Sequence, residues 1–233
     1  MSLTIVDAPD GFRAMDLGEM RLRYRSETAG AGPVIHTDTV GRVASASGEV
    51  YRIELAEDTG KRTVAMMRAG TLAPVRTEII GADGHREVLL EYANGEALVD
   101  LPRRGVKRPV KAGTGYYDCS TLFHLFRAFP FGDGIEIRFN LVMDGRGGGP
   151  IGAFGMYVRE IGREEIRTPA GAFACCKLEM GVASMPSLFA GKYKYFFWHT
   201  QEEPHYLVQY VDKFPGGRVE LIAVCEPERS HRA

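Results

Sequence analysis

The chain has 233 residues, 45% of them hydrophobic and 25% charged, a composition that supports a packed core and excludes disordered, collagen-like and membrane-spanning classes. Its 29 basic and 30 acidic side chains leave a formal net charge of -1, so no global field draws in nucleic acid or an anionic membrane, and any electrostatic partner must be met locally. A single domain over residues 1–233 is within the size that sandwiches and barrels reach.

Residues 1–18 scatter Asp7, Asp10 and Asp16 among apolar residues, with neither a basic n-region nor an unbroken apolar h-region. They read as an N-terminal extension without a visible signal peptide. The compartment stays open on this evidence: periplasm or cell envelope if a leader has been removed, cytoplasm otherwise. No stretch reaches the roughly 18 apolar residues of a transmembrane helix.

From Met20 onward two-residue alternation dominates, the signature of strands with one buried face. Met20, Leu22 and Tyr24 alternate with Arg21, Arg23 and Arg25, and Tyr51, Ile53 and Leu55 alternate with Arg52 and Glu54. Asp83-Gly84 and Asn94-Gly95 punctuate the next strands and predict hairpins. Leu101 to Lys111 holds the densest basic cluster, Arg103, Arg104, Lys107, Arg108 and Lys111. A solvated edge strand, charged against edge-to-edge pairing, accounts for it. An anionic head-group contact through Arg104 or Arg108 is the functional alternative, and nucleic acid ranks last because no aromatics are interleaved to stack on bases.

One segment breaks the strand rhythm. Leu122, Leu125, Phe126 and Phe129 fall at i, i+3, i+4, i+7, which predicts one helix near Ser120 to Phe129, capped by Asp118 or Ser120 and ended by Pro130. Cys119 and His124 suggest a thiol nucleophile and base, but side chains five residues apart on a helix point in different directions. Ile135, Ile137, Phe139, Leu141 and Met143 then form the clearest alternating strand. The following Gly145-Arg146-Gly147-Gly148-Gly149-Pro150 lacks the helix a phosphate loop needs and reads as a hairpin tip.

Pro169-Ala170-Gly171 marks another hairpin, after which Cys175 and Cys176 face opposite sides of a strand, Cys176 as small apolar filler. The four cysteines, Cys119, Cys175, Cys176 and Cys225, are too few and too irregularly spaced for a disulfide scaffold and read as reduced thiols. In Tyr193-Lys194-Tyr195-Phe196-Phe197-Trp198-His199 both strand faces are aromatic. Burial on both sides explains this structurally, and an apolar pocket wall explains it functionally. His199, Glu202, Glu203 and His205 sit across a turn where a zinc ion is conceivable, but the spacing matches no helical metalloprotease pattern. Pro215-Gly216-Gly217 marks the last turn, and residues 226–233 read as a disordered tail.

Glu165-Ile166-Arg167-Thr168-Pro169-Ala170-Gly171-Ala172-Phe173, followed by Cys176-Lys177-Leu178, resembles the "threonine, proline, small, glycine, x, phenylalanine" hairpin of the bacterial family catalogued as domain of unknown function 3108. Phe197-Trp198, Pro204 and Gly217-Arg218-Val219-Glu220-Leu221 are similar to that family's terminal hairpins, and Leu122 to Arg127 to its short helix. The resemblance spans Val50 to Ala223. It implies an open, strongly curved antiparallel sheet similar to the half-barrel of envelope lipoprotein carriers. Members are typically exported or lipoprotein-like and of uncharacterised activity, so no catalytic residue carries over. This chain departs from them in showing no leader and no lipobox cysteine.

The expected fold is therefore mostly β, a strongly curved antiparallel sheet (half-barrel or clam-like sandwich) with one short helix packed in its concavity. A concavity of this kind, with surplus aromatics, points to a non-catalytic binding protein for a lipid or other amphiphile. Phe126, Phe129, Phe196 and Trp198 are the expected apolar lining and Arg104 and Arg108 the head-group contacts. No cofactor or metal is implied, and no nucleophile elbow or dinucleotide fingerprint is present. A metal-dependent or thiol enzyme using His199 and His205 or Cys119 is one alternative, and an assembly protein binding a partner through a sheet edge is the other. Nothing in the sequence specifies an oligomeric state.

Overall fold

The computed structural model describes residues 3–13, 15–46, 48–132, 134–146, 149–183, 193–213 and 216–225. Among them the alternating segments form β2 (Met20–Thr28), β3 (Val34–Ser45), β4 (Gly48–Glu57), β5 (Arg62–Arg68), β6 (Pro74–Ile80), β7 (Arg86–Ala93), β8 (Glu96–Leu101) and β9 (Val106–Lys111). Two short strands, β1 (Thr4–Asp7) and β10 (Tyr116–Asp118), complete the first half. The second half contributes β11 (Ile135–Asp144), β12 (Ile151–Thr168), β13 (Gly171–Val182), β14 (Lys194–Thr200), β15 (Leu207–Asp212) and β16 (Gly217–Cys225).

All sixteen belong to one sheet in the order β1, β11 to β16, β2 to β9, with β10 also on β11. Neighbours are antiparallel except for β1 and β10, which lie parallel to β11 one after the other along the same edge. The sheet is made continuous by the β16–β2 pair, which joins the C-terminal hairpins to the first long strand. Period two decides which side chains go inside: Met20, Leu22 and Tyr24 are buried, as are Ile137, Phe139 and Leu141, and all join one core. Asn94 and Gly95 adopt φ of 51° and 77°, the pair of positive values that a two-residue hairpin between β7 and β8 requires.

The helical segment fills the inside. It is shorter and tighter than its hydrophobic spacing predicts: a 3-10 turn at Cys119–Thr121, one α-turn at Leu122–Leu125 (α1) and a second 3-10 turn at Phe126–Ala128. Asp118 caps it by accepting from Ser120 N at 2.7 Å, and Phe129 returns to extended backbone ahead of Pro130. Only about ten residues lie between these stops, so no longer helix can form. Leu122, Leu125, Phe126 and Phe129 are nevertheless all buried. Phe126 meets Phe197 of β14 edge-on at 4.8 Å between centroids and lies 6.3 Å from Phe12 and 6.1 Å from Phe139 of β11, aromatic geometries that add to simple area burial.

The expectation of an N-terminal extension over residues 1–18 is corrected. β1 is hydrogen-bonded to β11, and Phe12 and Leu17 enter the main core. Asp7, Asp10 and Asp16 masked this, because apolar residues in that stretch are too sparse to show a period. Gly115 makes the arrangement feasible: at φ 60° an added Cβ would stand 2.2 Å from the Ala8 carbonyl oxygen, so only glycine lets β1 and β10 abut on β11. The expected tail at 226–233 and Gly147, Gly148 and Pro215 of the predicted turns lie outside the described residues.

The two ends of the sheet meet through side chains. Val142 on the outer face of β11 packs with Val88, Leu90, Val99 and Val110 of β7 to β9. Asn140 Nδ2 donates to the Ala112 carbonyl at 2.9 Å, and Tyr92 donates to Asp118 Oδ2 at 2.6 Å. The far edge strand β9 carries Lys107, Arg108, Pro109 and Lys111, charges and a missing N–H that discourage further pairing.

Replacing Phe126 by Ala removes a fully buried ring from the centre of this packing and is expected to cost about 3–5 kcal/mol. Urea denaturation measures it; a loss below about 1 kcal/mol would mean that the helical segment does not fill the core.

Candidate functional site

Three segments converge at one mouth of the curled sheet: the loop between β1 and β2, the exit of the helical segment, and the loop between β14 and β15. They enclose an open cleft of about 620 Å³. Phe129 and Phe131 supply apolar surface, Arg13, Arg127, Arg163 and His205 bring basic groups to the wall, and Asp16 and Glu203 bring carboxylates to it.

Arg127 is the unusual member. Its residue is 1% exposed, yet it carries a guanidinium. Nε donates to the Pro204 carbonyl at 2.7 Å, Nη2 to the Leu17 carbonyl at 2.9 Å, and Nη1 contacts Met20 Sδ at 3.2 Å. One side chain thus ties together all three segments around the cleft. Among the described residues no carboxylate lies within ion-pair distance of it. Burial lowers its pKa to about 10, so it remains cationic at neutral pH. A guanidinium has five N–H donors and these contacts use three, while a buried cation without an anion is energetically costly. Arg163, by contrast, is exposed and shares Glu160 through Nε at 2.8 Å.

His199 and His205 lie beside this cleft but do not form a metal pair. His199 Nδ1 donates to the His205 carbonyl at 2.9 Å, and His205 Nδ1 donates to the Thr200 carbonyl at 2.8 Å. Among the described residues no three His, Cys, Asp or Glu side chains are grouped to hold a metal ion. His199 is fully buried, and burial pushes its pKa down to about 3 despite the bond to His205. Cys176 also lines the cleft, with its thiol raised to about 11 chiefly by burial, and Cys119 is raised to about 12 for the same first reason. Arg146 stands 3.4 Å from Cys119 Sγ, too weak a counter-charge to offset that burial.

The six residues expected to form one lipid site are divided among three places. Phe126 and Phe129 are in the inner core, and only Phe129 reaches the cleft. Phe196 and Trp198 point to the opposite face of β14, where they pack with Cys175 and Val208. Lys177 lies 4.7 Å above the Trp198 ring, whose Nε1 donates to Glu164 at 2.7 Å. Arg104 and Arg108 clasp the sheet ends, donating to the carbonyls of Gly145 and Ile151 at 2.8 Å each. Arg104 belongs to a 3-10 turn (Pro102–Arg104) rather than to the edge strand expected over Leu101 to Lys111. Arg127 and Phe131 went unrecognised: Arg127 falls off the apolar helical stripe, and no pattern distinguishes it from a solvated arginine.

The family model for "Protein of unknown function (DUF3108)" matches residues 6–222. The chain belongs to this family. No curated protein matches its sequence. Among solved structures it is similar to a β-barrel-like protein of domain of unknown function DUF1849 from Brucella abortus, with TM-score 0.53, 10% identity, and coverage of 92% of this chain and 100% of that one. A candidate exported protein with a YmcC-like fold from Bacteroides fragilis aligns at TM-score 0.37 and 15% identity over 92% of this chain and 99% of that one. A candidate lipoprotein from Parabacteroides distasonis aligns at TM-score 0.33 and 12% identity, over 97% and 100%. The DUF1849 likeness establishes a shared β-barrel-like fold. Among the described residues no helix is long and apolar enough to cross a membrane.

Two outcomes follow from the burial of these groups. The unfolded imidazole of His199 takes a proton near pH 6.5 and the folded one only near 3. Its contribution to stability is therefore complete above pH 6.5 and declines as pH falls through that window, by at most about 1.4 kcal/mol per pH unit. His199→Asn, which keeps a donor for the His205 carbonyl, should flatten the acid limb of stability measured by urea titration; an unchanged limb would show that His199 does not govern it. Cys119 and Cys176 should alkylate slowly in the folded protein at pH 8, and rapid reaction with an apparent pKa below about 8.5 would overturn their assignment as unreactive thiols.

Proposed function

We propose that this protein is a non-catalytic binding protein for an anionic amphiphile, such as a fatty acid or lysophospholipid, held at the mouth of its curved sheet. The observation that carries the reading is Arg127: a buried guanidinium without a carboxylate partner, on the wall of a cleft of about 620 Å³ beside Phe129 and Phe131. A carboxylate or phosphate entering the cleft supplies a counter-charge beside a guanidinium that its carbonyl bonds hold in place. The tail lies against the two phenyl rings, each buried methylene contributing about 0.8 kcal/mol. The cleft volume of about 620 Å³ falls within the range of small-molecule sites.

The arrangement favours this reading over catalysis because the thiols are pushed above their reactive range and both imidazoles donate Nδ1 to backbone carbonyls. It also differs from the groove expected between the four aromatic residues. Trp198 faces away, so its fluorescence should be unaffected by a ligand in the cleft.

Isothermal titration with dodecanoate, below its micellar concentration, is the direct test. Saturable binding is expected, at least about tenfold tighter than for dodecyltrimethylammonium, a difference of about 1.4 kcal/mol. Arg127→Gln should abolish the preference for the anion. Since that variant removes three structural contacts, Phe131→Ser at the half-buried rim provides the second measurement and should weaken dodecanoate by about 1.5–3 kcal/mol if the ring is covered by the tail. Absence of saturable binding, or equal affinity for the two detergents, would refute the proposal.

A further inference from the structure

The cleft at the mouth carries both signs of charge, and much of that charge is matched within the protein. Arg163 pairs with Glu160 at 2.8 Å. Asp16 lines the wall, but its Oδ1 accepts from Gly18 N and from the Tyr51 hydroxyl at 2.9 Å each and pairs with Arg42 at 3.1 Å. Arg13 is likewise engaged in contacts of its own. Two charges remain, the Arg127 guanidinium in the wall and the Glu203 carboxylate at the rim. Among the described residues neither has an opposite charge within ion-pair distance.

These two groups border the same stretch of the cleft without meeting. Arg127 Nε is held by the Pro204 carbonyl at 2.7 Å, and Glu203 is the residue before Pro204 in the chain. The guanidinium is buried and tied down by carbonyls, whereas Glu203 stands exposed. The turn that carries Glu203 is fixed as well. His205 N and Thr200 Oγ1 both donate to the Glu202 carbonyl, at 3.0 and 2.9 Å, and Gln201 N donates to the Ala174 carbonyl of β13 at 2.9 Å. A cation and a carboxylate, each on bonded backbone, thus face one cleft with the space between them open to a ligand.

Taking the cleft as an amphiphile site, we propose that its ligand is a zwitterion: a single-chain lipid whose head group joins a phosphodiester to an ammonium, the phosphodiester beside Arg127 and the ammonium on Glu203. A simple anion complements Arg127 but brings a like charge toward Glu203, and a simple cation does the reverse. Only a head group with both signs meets both residues, and its ammonium donates charge-assisted hydrogen bonds to a carboxylate that has no other partner. Discrimination between head groups then comes from repulsion of the wrong charge as much as from attraction of the right one.

Lauroyl lysophosphatidylethanolamine is the probe and lauroyl lysophosphatidylglycerol its control, because the two share the tail and the phosphodiester and differ in the ammonium. Isothermal titration of the full chain, below both micellar concentrations and at low salt, should show the ethanolamine lipid tighter by about three- to fivefold, the scale of an exposed ion pair. The ratio should shrink as ionic strength rises. Glu203→Gln changes an exposed side chain that makes no structural bond, and it should weaken the ethanolamine lipid to the affinity of the glycerol lipid while leaving the latter unchanged or tighter. Equal affinity for the two lipids, or a ratio that survives Glu203→Gln, would overturn the zwitterion and leave the anion site at Arg127 standing. Saturable binding by neither lipid would overturn it too, and titration with dodecanoate would then show whether the anion site falls with it.

Discussion

A single sheet that curls on itself has one inner face, and among the described residues a short helical segment, joined by Phe12 and Leu17 of the N-terminal loop, fills it. The ten residues from Cys119 to Ala128 hold that position through Phe126, which touches β11, β14 and the N-terminal loop at once. Because so few residues must fill so large a curvature, their conformation is compressed into alternating 3-10 and α turns. The same compression explains two cavities. A plug of one α-turn leaves space on each side, at the mouth beyond Phe129 and between Phe123 and β3 to β5.

Closure of the sheet follows a different rule from its growth. Along the sheet, backbone ladders do the joining, but the ends meet through Val142, Asn140, Tyr92, Arg104 and Arg108. Side-chain closure tolerates imperfect register, which a backbone ladder does not. It also gives the basic cluster of β9 a task that needs no ligand. Arg108 of that strand and Arg104 of the 3-10 turn before it donate to the carbonyls of Ile151 and Gly145 at the β11–β12 turn, and buried or half-buried carbonyls of that kind require a donor.

The architecture was legible in the sequence because period two survives wherever one face of a strand is buried. The Met20-Leu22-Tyr24 and Ile137-Phe139-Leu141 series are unambiguous, and the Asn94-Gly95 turn names its own geometry. The division of β14 into two aromatic faces was legible as well, but not that Phe197 is the inward one, since Phe196 and Trp198 were expected in the concavity and lie on the opposite face. Which face borders empty space was not, since alternation assigns sides without measuring what fills them. The N-terminal residues were misread for a related reason: β1 contributes only four residues, fewer than a period needs to declare itself. His36 and Asp38 did carry a signal, standing in the same alternating register as the buried Val40, and two polar residues on an inward stripe mark a buried network.

The functional argument turns on how the interior treats its charges. Asp38 is compensated by two imidazoles and Asp118 by Tyr92 and its own helical turn. Arg127 is solvated by carbonyls and a thioether instead, a weaker environment for a full charge than a carboxylate provides. Those carbonyls belong to Leu17 and Pro204, on the very loops that form the cleft. An anion bound there therefore acts on more than one residue: it stabilises the cation that holds the mouth together, and the loops that shape the cleft are fixed by the group the ligand would neutralise. Binding and local order at the mouth are thus two readings of one electrostatic interaction, which is why the buried arginine, rather than the larger set of aromatic rings, is the residue on which the proposed function rests.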